Sequence, residues 1–123
     1  MINWSAYPNF SKSEFDCQET GENDMKPHFL ERLQAMRTEY GRPMRITSGY
    51  RSENHSIEAR KAMPGYHSKG IACDIGCNGQ EAYALIQLAI KYGFTGIGIS
   101  QRAGQARFIH LDLRTDEPVI FGY

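Results

Sequence analysis

The stretch Arg107-Phe108-Ile109-His110-Leu111-Asp112-Leu113-Arg114 alternates polar and apolar side chains through most of its length. Alternation of this kind belongs to a strand with one face buried and one face open. Period two sets Ile109, Leu111 and Leu113 on one face and Phe108, His110, Asp112 and Arg114 on the other. A chain with this strand must build a sheet with an apolar back, and His110 and Asp112 must project together from its front.

A second stretch, Tyr66-His67-Ser68-Lys69-Gly70-Ile71-Ala72-Cys73-Asp74-Ile75, puts a histidine seven residues ahead of an aspartate, with a glycine between them. The apolar run around Asp74 reads as a strand, and His67 falls at the end of the loop before it. An imidazole and a carboxylate so placed can reach one common point, and His110 offers a third ligand. Two histidines, one aspartate and an open fourth position describe a catalytic zinc site better than a structural one. A lone His or Asp is more often structural or solvated; the combined pattern is what points to metal.

The chain has 123 residues, enough for one domain with a single core and no staples. Its formal net charge is +0, which gives no basic footprint for nucleic acid. The longest apolar run, 82–90, is interrupted by Tyr83 and Gln87 and is too short for a membrane span. The first residues lack a basic segment followed by an apolar one, so no signal peptide is expected and synthesis in the cytoplasm is. Cys17, Cys73 and Cys77 are an odd number without a repeated CxxC pair, and free thiols are the expectation. Monomer is the default state.

Along the chain, Ser11 and Glu14 make a capping-box start for a short helix whose Phe10 and Phe15 pack inward, and residues 16–24 read as loop. A helix is predicted from 25 to about 40, with Pro27 in its first turn and Phe29, Leu30, Leu33 and Met36 on one face. His28 in that turn reads as a surface residue. Gly41 and Pro43 end the helix. A short strand over 44–47 leads into Ser48-Gly49-Tyr50-Arg51, where the glycine lets the backbone bend and aim the next side chains into a cleft. Arg51 is either a surface cation or a forked donor for a substrate carbonyl or carboxylate. Residues 52–66 look like a long loop over the site, with His55 a substrate contact or an ordinary loop histidine. Asn78 and Glu81 open a second long helix with Ala82, Leu85, Ile86, Ala89 and Ile90 as its buried stripe and Gly93 just past its end. A strand with two glycines spans 94–99, and the tail from 116 runs along an edge. The Gly-x-Gly lacks the following helix of a dinucleotide site. The sum is an α+β fold: a small, mainly antiparallel sheet, two or three helices packed on it, and the metal site at one sheet face.

Four blocks in this order resemble the M15 peptidases, zinc D,D-peptidases related to D-Ala-D-Ala carboxypeptidases and phage endolysins, and within them subfamily A. The blocks are Ser48-Gly49-Tyr50-Arg51, His67 to Ile75, Gly93-Phe94-Thr95-Gly96-Ile97-Gly98 and Phe108-Ile109-His110-Leu111-Asp112. The resemblance implies one zinc ion held by His67, Asp74 and His110, and Arg51 near the scissile carbonyl; Ser48, Tyr50 and His55, close to Arg51 in sequence, are further candidate substrate contacts. It also implies peptidoglycan stem or cross-bridge peptides as substrate, cut by a lysin of phage or prophage type. The sequence departs from the family pattern in four places. Gly65 stands where a serine is frequent, Arg60-Lys61 where a glycine pair is frequent, and Cys73 where a small residue is usual. Arg107 occupies a position where many members carry an acidic general base. Asp112, on the same strand face as His110, is the candidate for that base or else the partner that orients the histidine. A domain of this fold without a base would be a zinc-containing binding module or a virion structural component.

Overall fold

The computed structural model describes residues 2–56 and 65–123. Five strands form one sheet in the order β1-β2-β4-β3-β5, with β1 at Arg45–Ser48, β2 at Ala72–Gly76, β3 at Gly96–Ser100, β4 at Phe108–Asp112 and β5 at Val119–Gly122. Three of the four pairings are antiparallel; β5 joins β3 in parallel. The fold is α+β, as the pattern of elements predicts, and the tail does run along an edge.

The helices are α1 at Lys12–Phe15, α2 at Pro27–Tyr40 and α3 at Gly79–Lys91, and a 3-10 turn at Trp4–Ala6 precedes them. Proline at the start of α2 loses no hydrogen bond there, since the first amides of a helix have no partner in any case. Gly41, at φ 71°, ends it and donates its N–H to the Arg37 carbonyl. In α3 the Asn78 side chain accepts from the Glu81 amide at 2.9 Å and Glu81 accepts from the Asn78 amide at 2.8 Å, a closed capping box. The same box caps α1, with Ser11 and Glu14.

Behind the sheet, Cys73, Ile75, Ile97, Ile109 and Leu111 form one core with Phe29, Leu30, Leu33 and Met36 of α2 and Leu85 and Ala89 of α3. Each large apolar side chain so enclosed contributes about 1.5–3 kcal/mol relative to leaving it in water. The stripe on α3 is narrower than its sequence pattern. Ala82, Leu85 and Ala89 are buried, Ile86 is half-buried, and Ile90 is 58% exposed. Ile90 lies a hundred degrees round the helix from Ala89, beyond the line along which the helix meets its neighbours.

Two strand boundaries shift from the predicted ones. The strand expected over 94–99 begins only at Gly96, because the Phe94 amide still donates to the Ala89 carbonyl and belongs to the helix end. The strand expected over 44–47 runs to Ser48. Between Ile46 and Ser48 it carries a bulge, so Thr47 is extra and Ser48 faces Asp74. All three cysteines are free and buried. No described helix is long and apolar enough to cross a membrane.

Candidate metal centre

Strand register sets one row of residues across the whole sheet: Ser48, Asp74, His110, Gly98 and Phe121, each opposite the next. Residues directly opposite share a face. Asp74 and His110 therefore stand side by side on the front, opposite to the face that carries Ile75, Ile109 and Leu111. The row beside it pairs Ala72 with Asp112 and Asp112 with Gly96.

His67 comes to this face from the turn before β2. Its backbone carbonyl accepts the Arg51 amide at 3.2 Å, and its ring Nδ1 donates to the Gly49 carbonyl at 2.8 Å. The bend after β1 thus grips His67 at both backbone and ring. Gly49 has to be glycine, since a Cβ there would lie 2.5 Å from the Phe15 Cα. Within residues 48–51, where Ser48, Tyr50 and Arg51 are expected from sequence as substrate contacts, Gly49 and Arg51 hold His67 in place.

With Nδ1 engaged, His67 presents Nε2 to the face, 3.4 Å from Asp74 Oδ1. His110 presents Nδ1 to the same oxygen at 3.1 Å and donates its Nε2–H to Asp112 Oδ2 at 2.7 Å. His67, Asp74 and His110 each offer one ligand atom, and the three atoms lie within 4.8 Å of one another. This donor set suits zinc: two neutral imidazoles and a carboxylate converge, and each imidazole has its other nitrogen fixed by an acceptor, as zinc-ligating histidines do.

In the metal-free protein the charges favour an ionised Asp74 and a protonated His110, so binding of a metal has to displace a proton from that ring. Burial alone would raise the Asp74 carboxyl, but hydrogen bonds from His110 and His67 outweigh it and hold it down at about 2. Burial works against a charged His110, yet the carboxylates of Asp112 and Asp74 raise its pKa in the metal-free protein. Asp112 has no exposed surface. Burial would raise it as well, but His110 and Arg114 hold it well below the usual carboxylate range. Its Oδ2 accepts from His110 and from Arg114 Nη2 at 2.6 Å, and its Oδ1 accepts the Arg114 amide at 3.0 Å and Nε at 2.9 Å. Of the two roles open to Asp112 from sequence, this geometry is that of the partner that orients His110.

The other named residues divide. Ser48 is half-buried beside Asp74 in the cross-sheet row, and Arg51 is half-buried with its amide on His67. Tyr50 is half-buried and packs against the core; burial, then the charges of Asp24 and Glu22, raise its phenol. His55 stands with Nε2 3.3 Å from Glu19 and is not in the ligand group. Arg107 is exposed and lines a cavity with Arg45, Cys77 and Asn78 rather than the front face. Arg60-Lys61, and most of the loop expected over the site, lie outside the described residues.

Sequence reasoning passed over what the two glycines of β3 do. A Cβ on Gly96 would collide with the Asp112 carboxylate, and one on Gly98 would press on the rings of Phe121 and Tyr123. The signal was there: a Gly-x-Gly strand beside a His-x-Asp strand leaves space opposite both functional side chains.

The family model described as Peptidase M15 matches residues 8–112. The chain belongs to peptidase family M15. The matched span holds His67, Asp74 and His110 and ends at Asp112, so Arg114 and β5 lie past it. M15 members are zinc peptidases, and the His-Asp-His group of this M15 domain is able to hold a metal ion. No curated protein matches the chain.

Proposed function

We propose that this M15 domain is a zinc peptidase that hydrolyses amide bonds in the stem or cross-bridge peptides of peptidoglycan, as a cell-wall lysin of phage or prophage type. The observation that carries the metal half of this reading is the convergence of His67 Nε2, Asp74 Oδ1 and His110 Nδ1 on a part-open face. Zinc held there would supply Lewis acidity, activating water and polarising a substrate carbonyl at neutral pH. The substrate half rests on the motif resemblance to zinc D,D-peptidases.

The chain's own residues would do the rest. Asp74, kept ionised, brings a full negative charge to the cation. Gly49 and Asp112 hold the two imidazoles so that neither has to reorient when metal or substrate arrives. Arg51, beside His67, offers a forked donor to a carbonyl or carboxylate of the substrate. Loss of one donor to a developing oxyanion typically costs ~10²–10³ in rate. Asp112 is assigned the holding of His110 and not proton uptake, since both its oxygens are already engaged. That engagement, with Arg107 far from the front face, favours one second reading: a zinc-containing module of the same fold that binds wall peptides without cutting them.

One experiment separates these. Purified protein of known zinc content is incubated with Gram-negative peptidoglycan, with and without a chelator, and the muropeptides are weighed. New peptide ends that vanish with chelator support the peptidase, and their masses tell terminal from cross-bridge cleavage. One zinc per chain with no new ends from several wall types supports the binding module. Absence of zinc from protein offered the metal overturns both.

A further inference from the structure

Arg114 lies past the family-matched span, yet it is closely engaged on the front face. Its guanidinium makes a two-pronged pair with Asp112, Nε to Oδ1 at 2.9 Å and Nη2 to Oδ2 at 2.6 Å. The same guanidinium lies over two aromatic rings, 4.5 Å from the centre of Tyr66 and 5.3 Å from the centre of Phe121. Tyr66 immediately precedes the ligand His67, and its hydroxyl donates to Asp116 at 3.3 Å. Phe121 belongs to β5 and packs its ring 5.6 Å from the ring of His110.

We infer that Arg114 is a positioning residue for the metal centre: packed on the rings of Tyr66 and Phe121, it fixes Asp112 so that His110 keeps its proton on Nε2 and offers Nδ1 as the ligand. The physical need is plain. Asp112 could otherwise turn about its side-chain torsions and accept from His110 in several poses. A fork of two parallel donors leaves a carboxylate one orientation, whereas a point charge leaves many. The two ring faces it lies over hold the guanidinium itself by cation–π attraction. The chain of contacts runs from β5 and the turn before β2, through Arg114 and Asp112, to one nitrogen of one ligand. The edge strand β5 thereby gains a role, because Phe121 braces both ends of that chain, touching His110 and Arg114.

This role rests on the proposed zinc site, and the test separates the two. Zinc affinity is measured by chelator competition for the wild type, Arg114→Gln, Arg114→Lys and Phe121→Leu, with thermal melts of the metal-free proteins as the check on folding. Nitrogen-15 NMR of the zinc-loaded proteins follows two ring protons, the Nε2–H of His110 and, as internal reference, the Nδ1–H of His67. Arg114→Gln is expected to weaken zinc binding by roughly 10–100-fold, the range for lost partners of ligating histidines. Arg114→Lys restores part of this, and Phe121→Leu costs a few-fold. The His110 Nε2–H signal should exchange faster in Arg114→Gln while that of His67 is unchanged. If Arg114→Gln does not fold, Phe121→Leu carries the same readouts. Wild-type zinc binding with unaltered affinity and His110 signal in the folded variants overturns the role of Arg114 alone. A wild type that takes up no zinc overturns the proposed function, and this role with it.

Discussion

The two faces of β4 both bury the strand's own central side chains, and they are built by opposite rules. At the back, Ile109 and Leu111 are enclosed by apolar side chains whose shapes matter but whose identities are exchangeable within limits. At the front, His110 and Asp112 are equally buried, and every polar atom named has a particular partner at a particular distance. A buried polar group that loses its partner costs its full desolvation, so the front tolerates far less change of kind. One strand therefore separates a face that stores stability from a face that stores chemistry.

Substitutions on neighbouring residues should break that comparison cleanly if it is wrong. The largest effect is expected for His110→Ala, which should abolish tight zinc binding and any wall hydrolysis; metal analysis of the purified variant decides, and a fully zinc-loaded, active protein would sink the ligand assignment. Leu111→Ala, one residue on but facing back, should cost about 2–5 kcal/mol in urea unfolding. It should still bind one zinc per chain below its unfolding transition. Gly96→Ala tests the front without touching a ligand. The added methyl falls on the Asp112 carboxylate and must displace it. A loss of roughly 10–100-fold in zinc affinity is expected, as for other outer partners of ligating histidines. Gly98→Ala meets only ring atoms of Phe121 and Tyr123, at 2.7–3.0 Å, which can swing aside, so its loss should be smaller. Equal losses at the two glycines would contradict the account of Asp112.

The pH dependence of the metal-free protein sharpens the same contrast at two groups of the front face, Asp74 and His110. Asp74 is held at about 2 in the folded protein against ~3.9 in an unfolded chain. Its contribution is fully present above ~4 and is lost as pH falls through about 2. His110 is raised above its unfolded value of ~6.5, so its contribution is present below ~6.5 and declines as pH climbs through the folded value. Thermal melts without metal should therefore show greatest stability between ~4 and ~6.5. Added zinc should stabilise more at pH 7.5 than at pH 5, since the imidazoles must shed protons to bind it. No pH dependence between 5 and 8 would contradict the sign given for His110. The smallest effect is expected at Ile120→Lys on the exposed edge strand, within about 0.5 kcal/mol of the wild type by the same melts.

The parts of the molecule that sequence made legible are those where local period and chemistry agree. Alternation along 107–114 sorted Ile109 from His110, the stripe of Phe29, Leu30, Leu33 and Met36 identified the back of α2, and the capping residues Ser11, Asn78 and Glu81 stand where helices begin. His67, Asp74 and His110 were legible because metal ligation needs few residue types and leaves a spacing. What was hidden depends on pairing between distant strands. Nothing local says that Gly96 faces Asp112, that Gly49 turns its carbonyl to His67, or that β5 runs parallel to β3 and lays Phe121 on His110. Ile90 was misplaced for a related reason: a helix stripe shows which side can be buried, not how far the neighbours reach across it. Asp112 could be placed on the right face but stayed between two roles, general base or partner of His110, because the hydrogen bonds from Arg114 that engage its oxygens are not visible in the local pattern.

The strand order also bears on how the chain is made. Strands β1 and β2 leave the ribosome early, but β2 lies beside β4, and β3, though earlier in the chain, waits on the far side of β4. His110 meets Asp74 across thirty-six residues of sequence. A nascent chain carrying only His67 and Asp74 has two ligands and no sheet to hold them together, so a metal ion cannot template its early folding. Closure of the loop from β2 to β4 must come first, and pairings this distant form slowly. Until synthesis passes β5 the front face has no finished form, and the half-made domain cannot yet bring His67, Asp74 and His110 together with the ring of Phe121 packed on His110.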